Sequence, residues 1–268
     1  MGAVAARICP RSAAPRRGGW GGRGRDGGFY AASVPDHQLA PAKLTVSLRI
    51  TGVRDDGYHL IDAEMVSLDL ADELTFQSGD GLTITGASGL PVPTDDTNLV
   101  RRALVLAGRT ALVHLTKRIP AGAGLGGGST DAAAVLRWSG IDDPTLAASI
   151  GADVPFCLRG GRARVTGVGE QLEPLSFEPR TFTIVTPPFG CATPDVYRAW
   201  DSLGGPRSDG PNDLEPAALL VEPRLAEWRD RLAGATGRTP TLAGSGSTWF
   251  VEGEFPSAGT VVRTTPPC

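Results

Sequence analysis

Pro120-Ala121-Gly122-Ala123-Gly124-Leu125-Gly126-Gly127-Gly128-Ser129-Thr130-Asp131-Ala132-Ala133 decides how the rest of the chain is read. Five of the seven positions from Gly122 to Gly128 are glycine, a density that no ordinary core element needs. Glycine reaches positive φ and carries no Cβ, so consecutive backbone N–H groups can converge on one anion. Ser129 and Thr130 follow, and Asp131-Ala132-Ala133-Ala134-Val135-Leu136 has helical composition, which sets the loop at a helix N-terminus with its partial positive charge. The expected ligand is a phosphate. No lysine follows the glycines, so this is not the G-x-x-x-x-G-K-[ST] pattern, and any lysine that serves the loop comes from elsewhere. A flexible linker would explain the glycines but not the switch into an alanine-rich helix.

Upstream, Leu44, Val46, Leu48 and Ile50 alternate with polar residues as in a half-buried strand, with Lys43 where the strand begins. Taken alone, Lys43 is a solvated strand-end lysine. Residues 51–58 are turn-like, and 65–70, 73–77 and 82–85 are expected as separate strands. Asp95-Asp96-Thr97-Asn98 precedes a capped helix over 99–106, and 111–116 returns to strand. Downstream, Asp153 stands among apolar neighbours in Gly151-Ala152-Asp153-Val154-Pro155-Phe156, where an unpaired carboxylate is expensive, so it reads equally as a cap or turn aspartate and as a catalytic group. The remainder mixes strands near 162–166, 181–186, 241, 249 and 261 with helices near 144–150, 195–200, 213–220 and 223–232, which argues for an α+β fold. A second glycine-serine loop, Ala243-Gly244-Ser245-Gly246-Ser247-Thr248, reads as a hairpin turn.

The chain has 268 residues and a net charge of −3, and that charge is unevenly spread. Residues 1–34 hold six arginines and one acid, leaving twenty basic and twenty-eight acidic residues in the body. The body's acidity argues against nucleic acid as a partner, and no stretch approaches the roughly 20 apolar residues of a membrane span. Residues 1–34 lack helical or strand periodicity and are expected to be a disordered Arg/Gly-rich tail. The four cysteines form no C-x-x-C pair and are expected as apolar fillers or exposed thiols in a reducing cytoplasm.

Three separated stretches, PAKLTVSL from Pro41, the glycine loop, and LAGSGSTWF from Leu242, resemble in order and spacing the three motifs of the GHMP kinase superfamily. Within it, DDGYH at Asp55, TNLV at Thr97 and GADVPF at Gly151 resemble the 4-diphosphocytidyl-2-C-methyl-D-erythritol kinases. The resemblance runs from about Ala40 to the C-terminus. It implies a two-lobed α+β fold, with a ribosomal protein S5 domain 2-like N-terminal lobe (35–160) and an α/β-plait-like C-terminal lobe (161–268). It also implies transfer of the ATP γ-phosphoryl group to the 2-hydroxyl of 4-diphosphocytidyl-2-C-methyl-D-erythritol, a step of the non-mevalonate isoprenoid route, by a cytoplasmic monomer or homodimer that uses Mg²⁺ through unassigned ligands. Carried over by position, Pro120 to Thr130 wrap the ATP phosphates, Asn98 and Lys117 lie near the nucleoside, and Lys43 and Asp153 form the catalytic pair. Tyr58 and His59 meet the cytosine, with Tyr197 stacking on its opposite face. Thr45 departs from the family, which usually has asparagine there, and its hydroxyl reaches less far. The alternatives are another GHMP kinase, for homoserine, mevalonate or a sugar, and a non-catalytic nucleic-acid-binding protein.

Overall fold

The architecture follows from one long strand. In the computed structural model, which describes residues 36–86 and 90–268, β2 (His59–Gln77) runs for 19 residues as the axis of a six-stranded sheet. Along one edge it pairs antiparallel with β1 (Asp36–Val53). Along its other edge it pairs with β5 (Arg162–Gly167) through Ile61–Val66 and with β4 (Leu112–Thr116) through Glu73–Gln77. β3 (Gly81–Thr85) extends the sheet beyond β4, and β6 (Gln171–Pro174) extends it beyond β5. The tail expected over residues 1–34 lies outside the described residues.

The segments 65–70 and 73–77 are thus one strand rather than two. The sequence hides this because Asp69 and Asp72 interrupt the apolar pattern, yet both are paired. Asp69 accepts from the backbone N–H of Arg263, and Asp72 is fully buried against backbone donors and a lysine. The first sheet carries α1 (Leu99–Leu106), α2 (Gly127–Ser139), α3 (Pro144–Ala148) and α4 (Val154–Arg159). Ala132 to Leu136 of α2 are all buried in the principal core, which is why that segment is so rich in alanine.

A second, wholly antiparallel sheet has the order β10-β7-β9-β8, formed by β7 (Thr181–Val185), β8 (Thr241–Leu242), β9 (Trp249–Glu252) and β10 (Thr260–Arg263). With it go α5 (Thr193–Ser202), α6 (Glu215–Val221) and α7 (Leu225–Thr236). The α+β class and two-lobed architecture expected from the sequence are present. Because β5 and β6 belong to the first sheet, we propose to move the lobe boundary from 160/161 to the stretch 175–180 ahead of β7. Cys157 and Cys191 are free thiols as expected, Cys268 is disulfide-bonded and departs from the expectation, and Cys9 lies outside the described residues.

A smaller apolar cluster binds the two sheets together. Leu44, Val66 and Leu68 from the first sheet meet Phe182, Ile184, Phe250 and Val262 from the second, with Ala123 and Leu125 of the glycine loop between them. Polar contacts reinforce the junction. Buried Asp213 accepts from Arg49 and from the N–H of Ile50, and Asn212 donates to the carbonyls of Leu242 and Gly244 at 2.8 and 2.7 Å. Asn212 thereby fixes the loop between β8 and β9. Replacing it by alanine leaves buried carbonyls bare at about 1–3 kcal/mol each, so Asn212→Ala is expected to lower the urea midpoint clearly, and an unchanged midpoint would remove Asn212 from this role.

Candidate active site

β1 delivers the first catalytic candidate. Its register with β2 shifts between Pro41 and Lys43, and such a bulge re-aims the side chain beside it. The N–H of Lys43 then bonds the carbonyl of Leu125 in the glycine loop at 3.0 Å instead of serving only the sheet. The Lys43 side chain is 6% exposed and crosses Gly126 so closely that a Cβ there would stand 2.6 Å from its Cγ. Its Nζ donates to Thr45 Oγ1 at 3.1 Å and lies 3.3 Å from Asp153 Oδ2. Asp153 occupies the position just before α4 but makes no capping bond with its side chain, which leaves the carboxylate for Lys43 and the cleft. Of the readings of Asp153 left open by the sequence, this rules out the side-chain cap.

Gly122, Gly124 and Gly126 all have φ between 71° and 76°, the left-handed region that favours glycine. The helix beyond them begins at Gly127, four residues before the expected start at Asp131, because glycine's poor helix propensity masks its first turn. Gly127, Gly128 and Ser129 therefore present the unpaired N–H groups of a helix N-terminus to the cleft. Thr130 does not join them. It is fully buried and its hydroxyl donates to the carbonyl of Pro41 at 2.7 Å, tying α2 to β1.

The cleft has a volume of about 940 Å³ and is lined from both lobes. Lys43, Asp153, Pro120 to Ser129, Asn98, Lys117, Tyr58, His59 and Tyr197 all border it, so every expected site residue except Thr130 reaches one cavity. The loop runs from Leu90, 2.7 Å from where a Cβ of Gly122 would stand, towards Lys43 at Gly126. Leu90, Pro91, Val92 and Pro93 form an apolar wall beside Asn98, which the sequence analysis did not anticipate. Asn98 caps α1, accepting from Val100 N at 2.8 Å and donating to the Pro93 carbonyl at 2.6 Å. Both ends of its amide are thus committed within the protein.

The aromatic groups differ from the expected sandwich. The rings of His59 and Tyr197 are 4.7 Å apart between centroids, which leaves no room for a base between them. Trp200 meets the His59 ring edge-on at 5.5 Å, and His59 Nε2 lies 2.7 Å from Asp201 Oδ1. Tyr58 is 60% exposed, with the Arg54 guanidinium 5.5 Å from its ring centre. Burial, with Asp153 nearby, holds the Tyr197 phenol well above its usual range, so it stays neutral. Burial pushes the Cys157 thiol up to about 12 and that of Cys191 up to about 11, which removes both as nucleophiles.

Three ionisable residues with partners inside the protein escaped the sequence reading. Asp72 and Asp131 both engage the Lys117 ammonium, and Arg137 on α2 donates to the carbonyls of Cys157 and Leu39 at 2.7 and 2.9 Å. Burial draws the Arg137 guanidinium down to about 10. No local pattern marks such residues, since a buried charge and a solvated one look alike in sequence.

A glycine loop at a helix N-terminus, a lysine–aspartate pair beside it and a cleft between two α+β lobes define a small-molecule kinase of the GHMP class. The family described as GHMP kinases N terminal domain matches residues 98–161. The 4-diphosphocytidyl-2-C-methyl-D-erythritol kinases of Paracoccus denitrificans and Paramagnetospirillum magneticum are 39% and 37% identical to this chain, covering 82% and 79% of it and 87% and 86% of themselves. A crystal structure of 4-(cytidine 5'-diphospho)-2C-methyl-D-erythritol kinase is 33% identical, with a TM-score of 0.68 over 86% of this chain and 100% of that one. A homoserine kinase from Cytophaga hutchinsonii, at 18% identity and a TM-score of 0.56 over 90% of this chain and 98% of that one, shares the fold. The chain belongs to the 4-diphosphocytidyl-2-C-methyl-D-erythritol kinase family.

The geometry also names the least replaceable loop position. A Cβ on Gly124 would stand 2.5 Å from the Gly246 carbonyl oxygen and 2.8 Å from that of Ala243, at a φ that strains any other residue. Strain of this kind costs about 1–3 kcal/mol. Gly124→Ala is expected to weaken ATP binding by roughly tenfold or more in calorimetry, and wild-type affinity would contradict the close approach of the two loops.

Proposed function

We propose that this protein transfers the γ-phosphoryl group of ATP to the 2-hydroxyl of 4-diphosphocytidyl-2-C-methyl-D-erythritol, a step in the non-mevalonate isoprenoid route. The observation that carries the reading is the 3.3 Å Lys43–Asp153 pair beside the N-terminus of α2, within a cleft of the size a nucleotide and a nucleotide-like acceptor require together. The family relationship supports the acceptor.

The ATP phosphates lie along the N–H groups of Gly127 to Ser129, and the nucleoside lies against Leu90 to Pro93 and Asn98. Lys117 is less suited to touching the nucleoside, because its ammonium is engaged by two buried carboxylates. The cytosine packs on Tyr58 and on the face of Tyr197 turned away from His59, since the two touching rings cannot admit it. In the reaction the acceptor O–H bond breaks and its proton passes to Asp153. The freed oxygen bonds the γ-phosphorus, and the bond to the β–γ bridging oxygen breaks to release ADP. Lys43 pairs with Asp153 at 3.3 Å and stabilises the charge that develops on the transferring group. Thr45 accepts a hydrogen bond from the Lys43 ammonium and so holds it in line.

Mg²⁺, when bound with ATP, would supply neutralisation of phosphate charge. It commonly takes most of its ligands from phosphates and water, with one or two carboxylates. ATP dependence favours a cytoplasmic location, and we expect a monomer or homodimer. Among the described residues no helix is long and apolar enough to cross a membrane.

Purified protein with MgATP is expected to consume ATP on 4-diphosphocytidyl-2-C-methyl-D-erythritol and to leave homoserine and mevalonate untouched, read by coupled ADP release. Turnover of homoserine or mevalonate alone would keep the fold and discard the assignment of Tyr58 and Tyr197.

A further inference from the structure

The middle of β2 has a gap on its outer edge, between the residues that pair with β5 and those that pair with β4. Asp72 stands in that gap, fully buried. Its Oδ1 accepts from the N–H groups of Arg118 and Ile119, at 2.5 and 2.8 Å, where the chain leaves β4 for the glycine loop. Its Oδ2 accepts from Lys117 Nζ, which also donates to Asp131 Oδ2 at 2.7 Å on α2, where the loop has become helix. Lys117 Nζ is also 3.0 Å from where a Cβ of Gly127 would stand, so the ammonium lies tight against the first residue of α2. One buried lysine thus joins the segment before the loop to the segment after it.

We propose that Asp72, Lys117 and Asp131 form a staple that holds the two ends of the glycine loop in its phosphate-receiving shape, making Lys117 a positioning residue. This rests on the reading of the loop as the phosphate site. The two carboxylates share one cation unequally. Asp72 receives three hydrogen bonds, whereas Asp131 receives one at Oδ2 and its buried Oδ1 has no partner. Asp131 is therefore the group that keeps its proton. Burial raises its pKa, Lys117 opposes that and Asp72 adds to it, leaving it at about 8. Lys117 is drawn down by burial but held above its usual value by Asp131 and Asp72, so it stays charged. The groups facing Asp131 are Lys117 from beyond β4, Asp72 from β2 and, from α4, the Cys157 thiol, which at about 12 does not titrate near pH 8. A neutral Asp131 leaves the triad without net charge beneath the phosphates, and its ionisation adds one negative charge there.

The test uses the full chain and two readouts, hydrogen exchange of amides 121–130 without ligand and MgADP affinity by calorimetry. Lys117→Met is expected to speed loop exchange by about tenfold and weaken MgADP by a similar factor, with kcat at saturating ATP less affected. Asp131→Asn, a neutral isostere, is expected to hold both within about threefold of wild type. Faster nucleotide loss with unchanged loop exchange would overturn the proposal in favour of direct ligand contact by Lys117. Should Lys117→Met fail to fold, the comparison of wild type with Asp131→Asn between pH 7 and 9 decides. Wild-type MgADP affinity is expected to fall as pH passes about 8 while that of Asp131→Asn stays level, and parallel profiles would overturn it. Loop exchange is read without substrate, so failure of the kinase assignment would leave this result standing and the reverse.

Discussion

Lys43 lies across Gly126, and the site depends on that crossing. The alkyl chain fills the space a Cβ would take, which is how a strand lysine comes to lie beside the start of α2 rather than in solvent. A cation so buried is unfavourable unless it is paired, and Asp153 at 3.3 Å supplies the partner. The requirement then propagates. β1 must bulge at Ala42 to turn the lysine inward, α4 must begin at Val154 to place Asp153, and the glycine loop must pass close enough for Lys43 N to reach the Leu125 carbonyl.

A loop with this many glycines has little shape of its own, since each loses much conformational freedom on ordering. Its order is imposed from outside. Ala123 and Leu125 sink into the cluster shared by the two sheets, and burying a leucine side chain contributes about 1.5–3 kcal/mol. The N–H of Thr248 bonds the Ala123 carbonyl at 3.1 Å, and Thr130 ties the far side to Pro41. Donors held in place before the ligand arrives need not be ordered by it, which is what a phosphoryl-transfer site asks of its backbone. The second glycine-serine loop is accordingly a hairpin connection and the outer support of the first.

Local chemistry made part of this legible in the sequence. The glycine run, the alternation through β1, the Asn98 cap and the exposed turn ahead of His59 each express themselves within a few residues. The unity of β2 did not, because its central aspartates break the apolar alternation while being paired with groups far along the chain. The ion pairs of Lys117 were hidden for a similar reason, since its partners Asp72 and Asp131 stand 45 and 14 residues away and only the fold unites them. The aromatic residues were found but their arrangement was not. Nothing in the order of His59 and Tyr197 says that Asp201 and Trp200 hold the histidine ring against the tyrosine.

The central claim is that Lys43 and Asp153 act as one catalytic unit, and a double-mutant cycle in kcat tests it most directly. Lys43→Met, Asp153→Asn and the double variant are compared at saturating ATP and 4-diphosphocytidyl-2-C-methyl-D-erythritol. Loss of a general base costs ~10² to 10⁴-fold, and groups that act together lose about as much singly as jointly. The double variant is expected to be little worse than the poorer single one. Near-normal turnover in Asp153→Asn, or losses that simply multiply, would contradict that claim.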